Sequence, residues 1–207
     1  MTVGILGKKL GMTQVFNNTG QLVPVTVIQA GPCPVIQVKS KDKDGYSAIQ
    51  IGFDRSGKKR SASKPLSGHF KKANVDTQKI LKEIPVPEDS TFKMGDILTV
   101  DQFKPADIVN VTGITKGRGF TGVMKRHGFA GKDTGHGSHE AYRHGGSIGC
   151  RTPKHTIKGM RMAGRMGTDR VTLRNLKIIM VDPENNLLLI KGSLPGWRGG
   201  YLLVKKS

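Results

Sequence analysis

One segment of this chain, residues 116–167, has a composition that excludes an ordinary hydrophobic core. It holds 11 Lys or Arg, 13 Gly and five His, against two acids and three aromatic residues. So few apolar side chains cannot offset the conformational entropy lost when such a segment becomes ordered. A polyanion could order it, because cations neutralise phosphates and glycines let the backbone approach a surface closely. The composition therefore predicts a long extension that a binding partner orders.

The charge of the whole chain indicates nucleic acid as that partner. The formal charge is +19, from 34 Lys or Arg and 15 Asp or Glu, and +9 of it falls within residues 116–167. A charge that served only solubility would be spread evenly, whereas a basic stripe is typical of nucleic-acid binding. An anionic membrane surface and an acidic protein are the remaining alternatives.

Nothing in the sequence indicates secretion or a membrane span. Cys33 and Cys150 are too few for a disulfide framework, so we expect a reducing compartment. The longest aliphatic runs, at 178–181 and 187–190, have four residues each, whereas a bilayer span needs about 20. The N-terminal residues contain no long apolar stretch, so we expect no export signal.

Short runs rich in Val and Ile, separated by turn-forming residues, predict a mainly β fold. The predicted strands cover residues 11–16, 22–29, 35–40, 48–53, 79–85, 96–100, 108–115, 175–181, 187–191 and 201–204. Helical periodicity is weak, and it favours one short helix over residues 67–74, with Ser67 as its N-cap.

Strand-like segments on both sides of the extension predict one barrel that a long loop interrupts. We assign residues 1–115 and 163–207 to the barrel domain and 116–162 to the extension, with 54–92 as a smaller lobe or excursion. Loops of this length without regular structure are usually functional or disordered, and the charge favours function.

Two patterns inside the extension have alternative interpretations as cofactor or catalytic sites. Residues 117–122 match the dinucleotide fingerprint G-x-G-x-x-G, but another glycine follows within six positions, and no second strand brings an acid for a ribose. Zinc-binding residue types occur without the paired cysteines of a structural finger, at His136, His139, His144, Cys150 and His155. Cys150 with His144 or His155 lacks the rigid orienting group of a nucleophilic site. We therefore expect no cofactor, no metal, no small-molecule substrate and no enzymatic activity.

Three separated motifs of the chain form the pattern of a known family. One pattern starts at Phe103 and continues through Asn110, Gly113, Thr115, Gly117, Arg118, Gly119, Gly122 and Arg126. The second is the sequence GILGKKLGMT at residues 4–13, and the third combines GGSIG at 145–149 with KGMRMAG at 158–164. In these motifs the chain resembles, over essentially its whole length, the bacterial type of the universal large-subunit ribosomal protein three family.

The resemblance implies a six-stranded translation-protein barrel on the outside of the large subunit, with little helix and a long irregular glycine-rich extension. It implies a structural protein that binds 23S rRNA directly, assists early assembly of the 50S subunit and extends a basic finger toward the peptidyl transferase centre. The expected neighbours are ribosomal proteins fourteen and nineteen. The expected location is the cytoplasm, in the ribosome, with no membrane partner.

The RNA-binding residues that we predict are mainly cations and glycines of these motifs. By position, the resemblance assigns five to the root of the extension, Lys116, Arg118, Lys125, Arg126 and His127. It assigns five to the region near its tip, Arg143, Ser147, Gly149, Arg151 and Lys154. The other predicted contacts are Lys8, Lys9, Gly117, Gly119, His144, Lys158, Arg161 and Arg165.

The chain departs from the family pattern at two points near the tip. Cys150 stands where some bacterial members have a methylated glutamine, and the segment between Gly149 and Lys158 is one residue shorter. A thiol has no amide nitrogen, so we expect no amide methylation at this position.

Overall fold

The computed structural model describes residues 4–17, 19–56, 63–88, 91–138 and 141–207. The strands are β1 (Gly4–Phe16), β2 (Leu22–Ala30), β3 (Cys33–Lys39), β4 (Ala48–Arg55), β5 (Gln78–Pro85), β6 (Ile97–Leu98), β7 (Ile108–Ile114), β8 (Gly119–Thr121), β9 (Gly164–Met166), β10 (Arg170–Asp182), β11 (Leu187–Lys191) and β12 (Tyr201–Lys206). The α-helices are α1 (Lys41–Asp44), α2 (Lys64–Lys72) and α3 (Val123–His127). The predicted mainly β fold with little helix is confirmed, and each predicted strand has a counterpart.

The chain divides into two units, a first unit that runs up to Ile114 and resumes at Arg170–Ser207, and a second unit, Thr115–Asp169. The second unit ends later than the predicted end of the extension at residue 162. The reason is that β9 pairs with β8 and so belongs to the extension rather than to the barrel.

Six strands of the first unit form a closed antiparallel barrel in the order β1, β12, β7, β10, β11, β2, which confirms the predicted barrel. The two longest strands, β1 and β10, each pair with both neighbours along different parts of their length. Register shifts at Lys9/Gly11 and at Leu173/Leu176 interrupt these ladders. Such bulges bend a strand and help a sheet to close.

Aliphatic side chains that alternate with outward-facing residues fill the barrel. In β7, Val109 and Val111 are fully buried, and Gly113 continues their face of the strand. A Cβ at Gly113 would lie 2.6 Å from Leu202 Cδ2 and 2.9 Å from Pro195 Cγ. Only glycine therefore permits this close packing.

A four-stranded sheet in the order β5, β4, β3, β6 accompanies the barrel in the first unit. Its Ile49, Ile51 and Ile84 belong to the same buried cluster as Ile28 and Val111 of the barrel. The first unit therefore has one continuous core that both sheets share.

Helix α2 covers part of this second sheet, where Phe70 packs with Ile36. The helix begins at Lys64, so the predicted start with Ser67 as N-cap was wrong. Pro65 in the first turn explains the earlier start, because its fixed φ suits a helix and its missing N–H would have no helical acceptor there. No described helix has the length and apolar character that spanning a membrane requires.

Candidate nucleic-acid interface

The second unit is an extension with short elements, and its described residues form no hydrophobic core. Strands β8 and β9 form an antiparallel ribbon in which Phe120 is the partner of Arg165, and Arg118 N–H donates to the Met166 carbonyl at 2.8 Å. Among the described residues of this unit only Thr121 is buried, and the three buried clusters lie in the first unit. A core therefore does not explain the order of this unit.

The cations of the extension are exposed and carry no ion pairs within the described residues. The five ion pairs found there, such as Lys39 with Glu83 at 2.9 Å, join residues of the first unit. Arg126 is half-buried, and the other ten cations are exposed, namely Lys116, Arg118, Lys125, Lys132, Arg143, Arg151, Lys154, Lys158, Arg161 and Arg165. Their charge is therefore directed to solvent or to a partner.

Helix α3 holds three of the predicted contact residues beside the returning chain. The Arg126 guanidinium donates to the Met162 carbonyl at 2.8 Å, and a ring nitrogen of His127 lies 3.1 Å from the same oxygen. A Cβ at Gly164 would lie 2.5 Å from Arg126 Nη1, so the glycine leaves room for this contact. Lys125, on the same helix, is free to extend into solvent.

The dinucleotide fingerprint at residues 117–122 forms a different structure from a cofactor loop. Gly119 has a φ of +68° and lies in β8, where it pairs with Met166. Gly122 precedes α3, which has only five residues and ends at Gly128. The glycines thus serve the ribbon and a very short helix, and no βαβ unit is present in the described part of the extension.

A second turn of the extension is closed by backbone contacts that require glycine. Lys132 N–H donates to the Tyr142 carbonyl at 3.1 Å, which joins the outgoing and returning chains. Gly131 has a φ of +78°, and a Cβ there would lie 2.4 Å from Tyr142 O. On the returning chain, a Cβ at Gly145 would lie 3.4 Å from Phe129 Cε2.

Predicted contact residues nearer the tip lie on exposed chain with local hydrogen bonds. The Ser147 hydroxyl donates to the Gly149 carbonyl at 2.8 Å, and the Cys150 thiol donates to the Thr152 carbonyl at 2.6 Å. His144, Arg151, Lys154 and Lys158 are likewise exposed there. Cys33, in contrast, is buried in the first unit, where burial raises the pKa of its thiol to about 12.

Lys8 and Lys9 belong to β1 of the first unit and differ sharply in environment. Lys9 is 8% exposed, and its ammonium donates to the carbonyls of Leu194 at 2.7 Å and Gly196 at 3.3 Å. Lys8 is half-buried. Lys9 is therefore engaged with the backbone of its own unit, and it is the one buried residue of the predicted contact set, all members of which lie in the described part of the chain.

The zinc-binding residue types do not converge within the described residues. No group of three His, Cys, Asp or Glu side chains there is close enough to hold a metal ion. His139, one of the candidate ligands, lies outside the described residues.

Three residues of the extension with contact potential were missing from the predicted set. Lys132 is an exposed cation. It contributes to the positive charge of the extension in the same way as the lysines and arginines that we predicted as contacts. Phe120 is 80% exposed in the ribbon, and Phe129 lies at the closed turn. Both phenylalanines lie among glycines and cations, where no core can form, and this position in the sequence could have indicated that their rings are available to a partner.

Comparison with known proteins agrees with the motifs. A model of the family described as ribosomal protein L3 matches residues 58–187. The chain is 55% identical to large ribosomal subunit protein uL3 of Corynebacterium jeikeium (strain K411) over 205 residues, covering 99% of this chain and 94% of that protein. It is 48% identical to uL3 of Pelotomaculum thermopropionicum over 207 residues, covering 100% of this chain and 98% of that protein. The predicted resemblance is confirmed, and the chain belongs to the ribosomal protein L3 family.

Proposed function

We propose that this chain binds 23S rRNA directly and uses the extension as a cationic strut between RNA helices. Ribosomal protein L3 is a structural component of the large subunit and not an enzyme, and it works in the ribosomes of the cytoplasm. The observation that carries the RNA contact is the exposed set of unpaired cations on a segment without a core.

Unpaired cations favour phosphate binding for a simple energetic reason. A lysine that already contacts a carboxylate, such as Lys206 with Asp107 at 2.8 Å, has to exchange one ionic partner for another. The described acids leave the extension's cations without such partners, so phosphate contacts and counterion release add to affinity without this loss. Glycines along the segment let backbone N–H groups approach phosphates as well.

The position of the extension in the subunit is the finer part of the proposal. We expect its tip to extend toward the peptidyl transferase centre and the barrel to contact ribosomal proteins fourteen and nineteen. A strut that lies between RNA helices has to be present before those helices close around it. The protein should therefore join the subunit early in assembly and assist that assembly.

A matched pair of charge variants tests the RNA contact. Five exposed cations of the extension are replaced by Gln in one variant, Lys116, Arg118, Lys125, Arg143 and Arg151. Five exposed lysines of the first unit are replaced in the control, Lys43, Lys82, Lys93, Lys104 and Lys191. Both variants lose the same charge, so a general effect of net charge acts on them equally.

The salt dependence of affinity for 23S rRNA distinguishes the two variants. At roughly 0.7–0.9 per phosphate contact, the slope of log affinity against log salt should fall by about 4 in the extension variant. The control should keep most of the slope. Equal slopes in both would mean that the extension is not the main RNA-binding element.

Co-sedimentation with large subunits through a high-salt wash tests the ribosomal location, and crosslinking in cells identifies the attached RNA. A protein that washes off and crosslinks to many unrelated RNAs would be a free nucleic-acid chaperone instead. Crosslinks between the barrel and its protein neighbours test the expected contacts with proteins fourteen and nineteen.

A further inference from the structure

We propose that the closed turn of the extension contains a binding pocket for a single unpaired nucleotide base. The inference rests on the proposed function, and it goes beyond phosphate contact to the recognition of one extruded rRNA base. The pocket lies entirely within the second unit, between the outgoing chain at residues 129–132 and the returning chain at residues 141–146.

The pocket has the volume of a small-ligand site. Its volume is about 580 Å³, within the range of about 300–1,000 Å³ that ligand pockets cover. Gly131, Gly145 and Gly146 line it, so three positions of its wall have no side chain. A flat ring could therefore lie against the backbone at these positions.

The side chains around the pocket are those that bind unpaired bases. Phe129 and His144 line it, and aromatic rings stack on unstacked bases in RNA recognition. Lys132 adds a cation at the same pocket for the phosphate of the bound nucleotide. An apolar protein side chain is a less suitable occupant, because it offers no hydrogen-bond or ionic partner to the Lys132 ammonium and the His144 imidazole.

The polar groups of the pocket are available to a ligand. Within the described residues, the Lys132 ammonium, the His144 imidazole and the backbone N–H groups of Gly145 and Gly146 have no hydrogen-bond acceptor. Donors of this kind can bind the edge of a base or a phosphate oxygen. Two aromatic residues, a lysine and two glycines with free backbone donors therefore line the same pocket.

Contacts beside the pocket keep its aromatic wall in position. The Phe129 ring packs near Gly145, and its centroid lies 6.1 Å from that of the His127 ring. The hydrogen bond from Lys132 N–H to Tyr142 O holds the two chains together at 3.1 Å. These contacts hold the ring and the two chains in the arrangement that forms the pocket.

Chemical probing of rRNA bases in assembled large subunits tests the inference. Subunits carry the unaltered chain, Phe129→Leu, Phe129→Tyr, Lys132→Gln or the control Lys43→Gln, an exposed lysine of the first unit that is not among the predicted RNA contacts. One unpaired base should be protected with the unaltered chain and with Phe129→Tyr, and several-fold more reactive with Phe129→Leu. Lys132→Gln should expose the same base partly, and Lys43→Gln should leave it protected.

The footprint on the rRNA backbone separates failure of this inference from failure of the proposed function. A backbone footprint of the extension without any base that responds to Phe129 would overturn the pocket and leave the RNA contact intact. Absence of any footprint would contradict the proposed function itself. If Phe129→Leu removed the whole footprint, its ring would be needed for folding, and Lys132→Gln alone would then decide.

Ultraviolet crosslinking identifies the occupant independently. A crosslink from the peptide that contains Phe129 to one rRNA nucleotide would support the proposal. A crosslink from that peptide to a neighbouring protein, with no nucleotide attached, would overturn it.

Discussion

Two neighbouring lysines show how far residue type alone determines a role. Lys8 and Lys9 stand side by side in one basic motif, yet the Lys9 ammonium contacts two backbone carbonyls of the loop before β12. We expect Lys9→Met to lower the free energy of unfolding by about 1–3 kcal/mol, because buried carbonyls lose their donor. Lys8→Met, the control, should change it little. Urea denaturation measures both, and equal small losses would contradict a structural role for Lys9.

Asp54 makes the stability of the first unit depend on pH. Its carboxylate accepts from the Tyr201 hydroxyl at 2.7 Å and from Lys79 at 3.0 Å, and these bonds, with Tyr201 first, lower the pKa of Asp54. A carboxyl group whose pKa is lowered in the folded state stabilises the fold at pH values above its pKa in the unfolded chain, which is about 3.9 for aspartate. This contribution disappears as the pH falls through the pKa of the folded state.

Asp54→Asn tests that dependence with little backbone effect, because asparagine tolerates the φ of +61° at this position. We expect a loss of about 1 kcal/mol in unfolding free energy at neutral pH. The difference from the unaltered chain should vanish in acid. Denaturation curves at several pH values provide the measurement, and a difference that stays constant with pH would show that the carboxylate charge is not the cause.

At the scale of elements, the glycines of the extension separate into those that shape it and those that do not. Gly131→Ala should disrupt the closed turn, because its Cβ would lie 2.4 Å from Tyr142 O. Gly137→Ala is a matched control, since Gly137 also has positive φ, +82°, but apart from its chain neighbours no described atom lies within 4 Å of the added Cβ. Both pay a left-handed backbone cost of about 1–2 kcal/mol.

Amide hydrogen exchange at Lys132 distinguishes the two alanine variants, because its N–H forms the bond across the turn. We expect faster exchange in Gly131→Ala and exchange close to that of the unaltered chain in Gly137→Ala. Similar acceleration in both would mean that backbone strain, rather than the contact with Tyr142, controls the turn.

The sequence predicted the barrel strands well, and its failures have physical causes. Alternating Val and Ile made strands such as β7 readable, whereas the start of β1 at Gly4 was missed. Gly7 looks unsuited to a strand, but a Cβ there would lie 2.6 Å from Ile28 Cγ2, so tertiary packing selects it. The strands β8 and β9 were missed because three residues are too few to show an alternation of apolar and polar side chains.

The candidate site was predictable in charge but not in shape. The number of cations was enough to locate the extension. The pocket at Phe129, in contrast, depends on the backbone hydrogen bond between residues 132 and 142, which no local sequence pattern predicts. Lys9 shows that charge does not reveal burial, since this motif lysine, which we predicted as a contact, is buried in the first unit. Charge is additive along a sequence, but burial is a property of the fold.

For the whole molecule, the pairing of Ile114 with Arg170 determines what removal of the extension should do. These residues are cross-strand partners in β7 and β10, so the two chain ends beside the extension are already adjacent. Replacing residues 115–169 by a short Gly-Ser bridge should leave the barrel folded and change the free energy of unfolding by no more than about 2 kcal/mol, because each halving of a loop alters the closure cost by only about 0.6 kcal/mol. Calorimetry and urea denaturation test this, and loss of cooperative unfolding would refute it.

The order of strands in the barrel also has a consequence for synthesis. The first strand, β1, pairs with β12, the last strand of the chain, and β10 and β11 complete the wall only after the extension. A growing chain therefore exposes its most basic segment before the barrel can close. The barrel can close only once β12 has been made, so chains that stop short of β12 have an open sheet although their cationic extension is already complete.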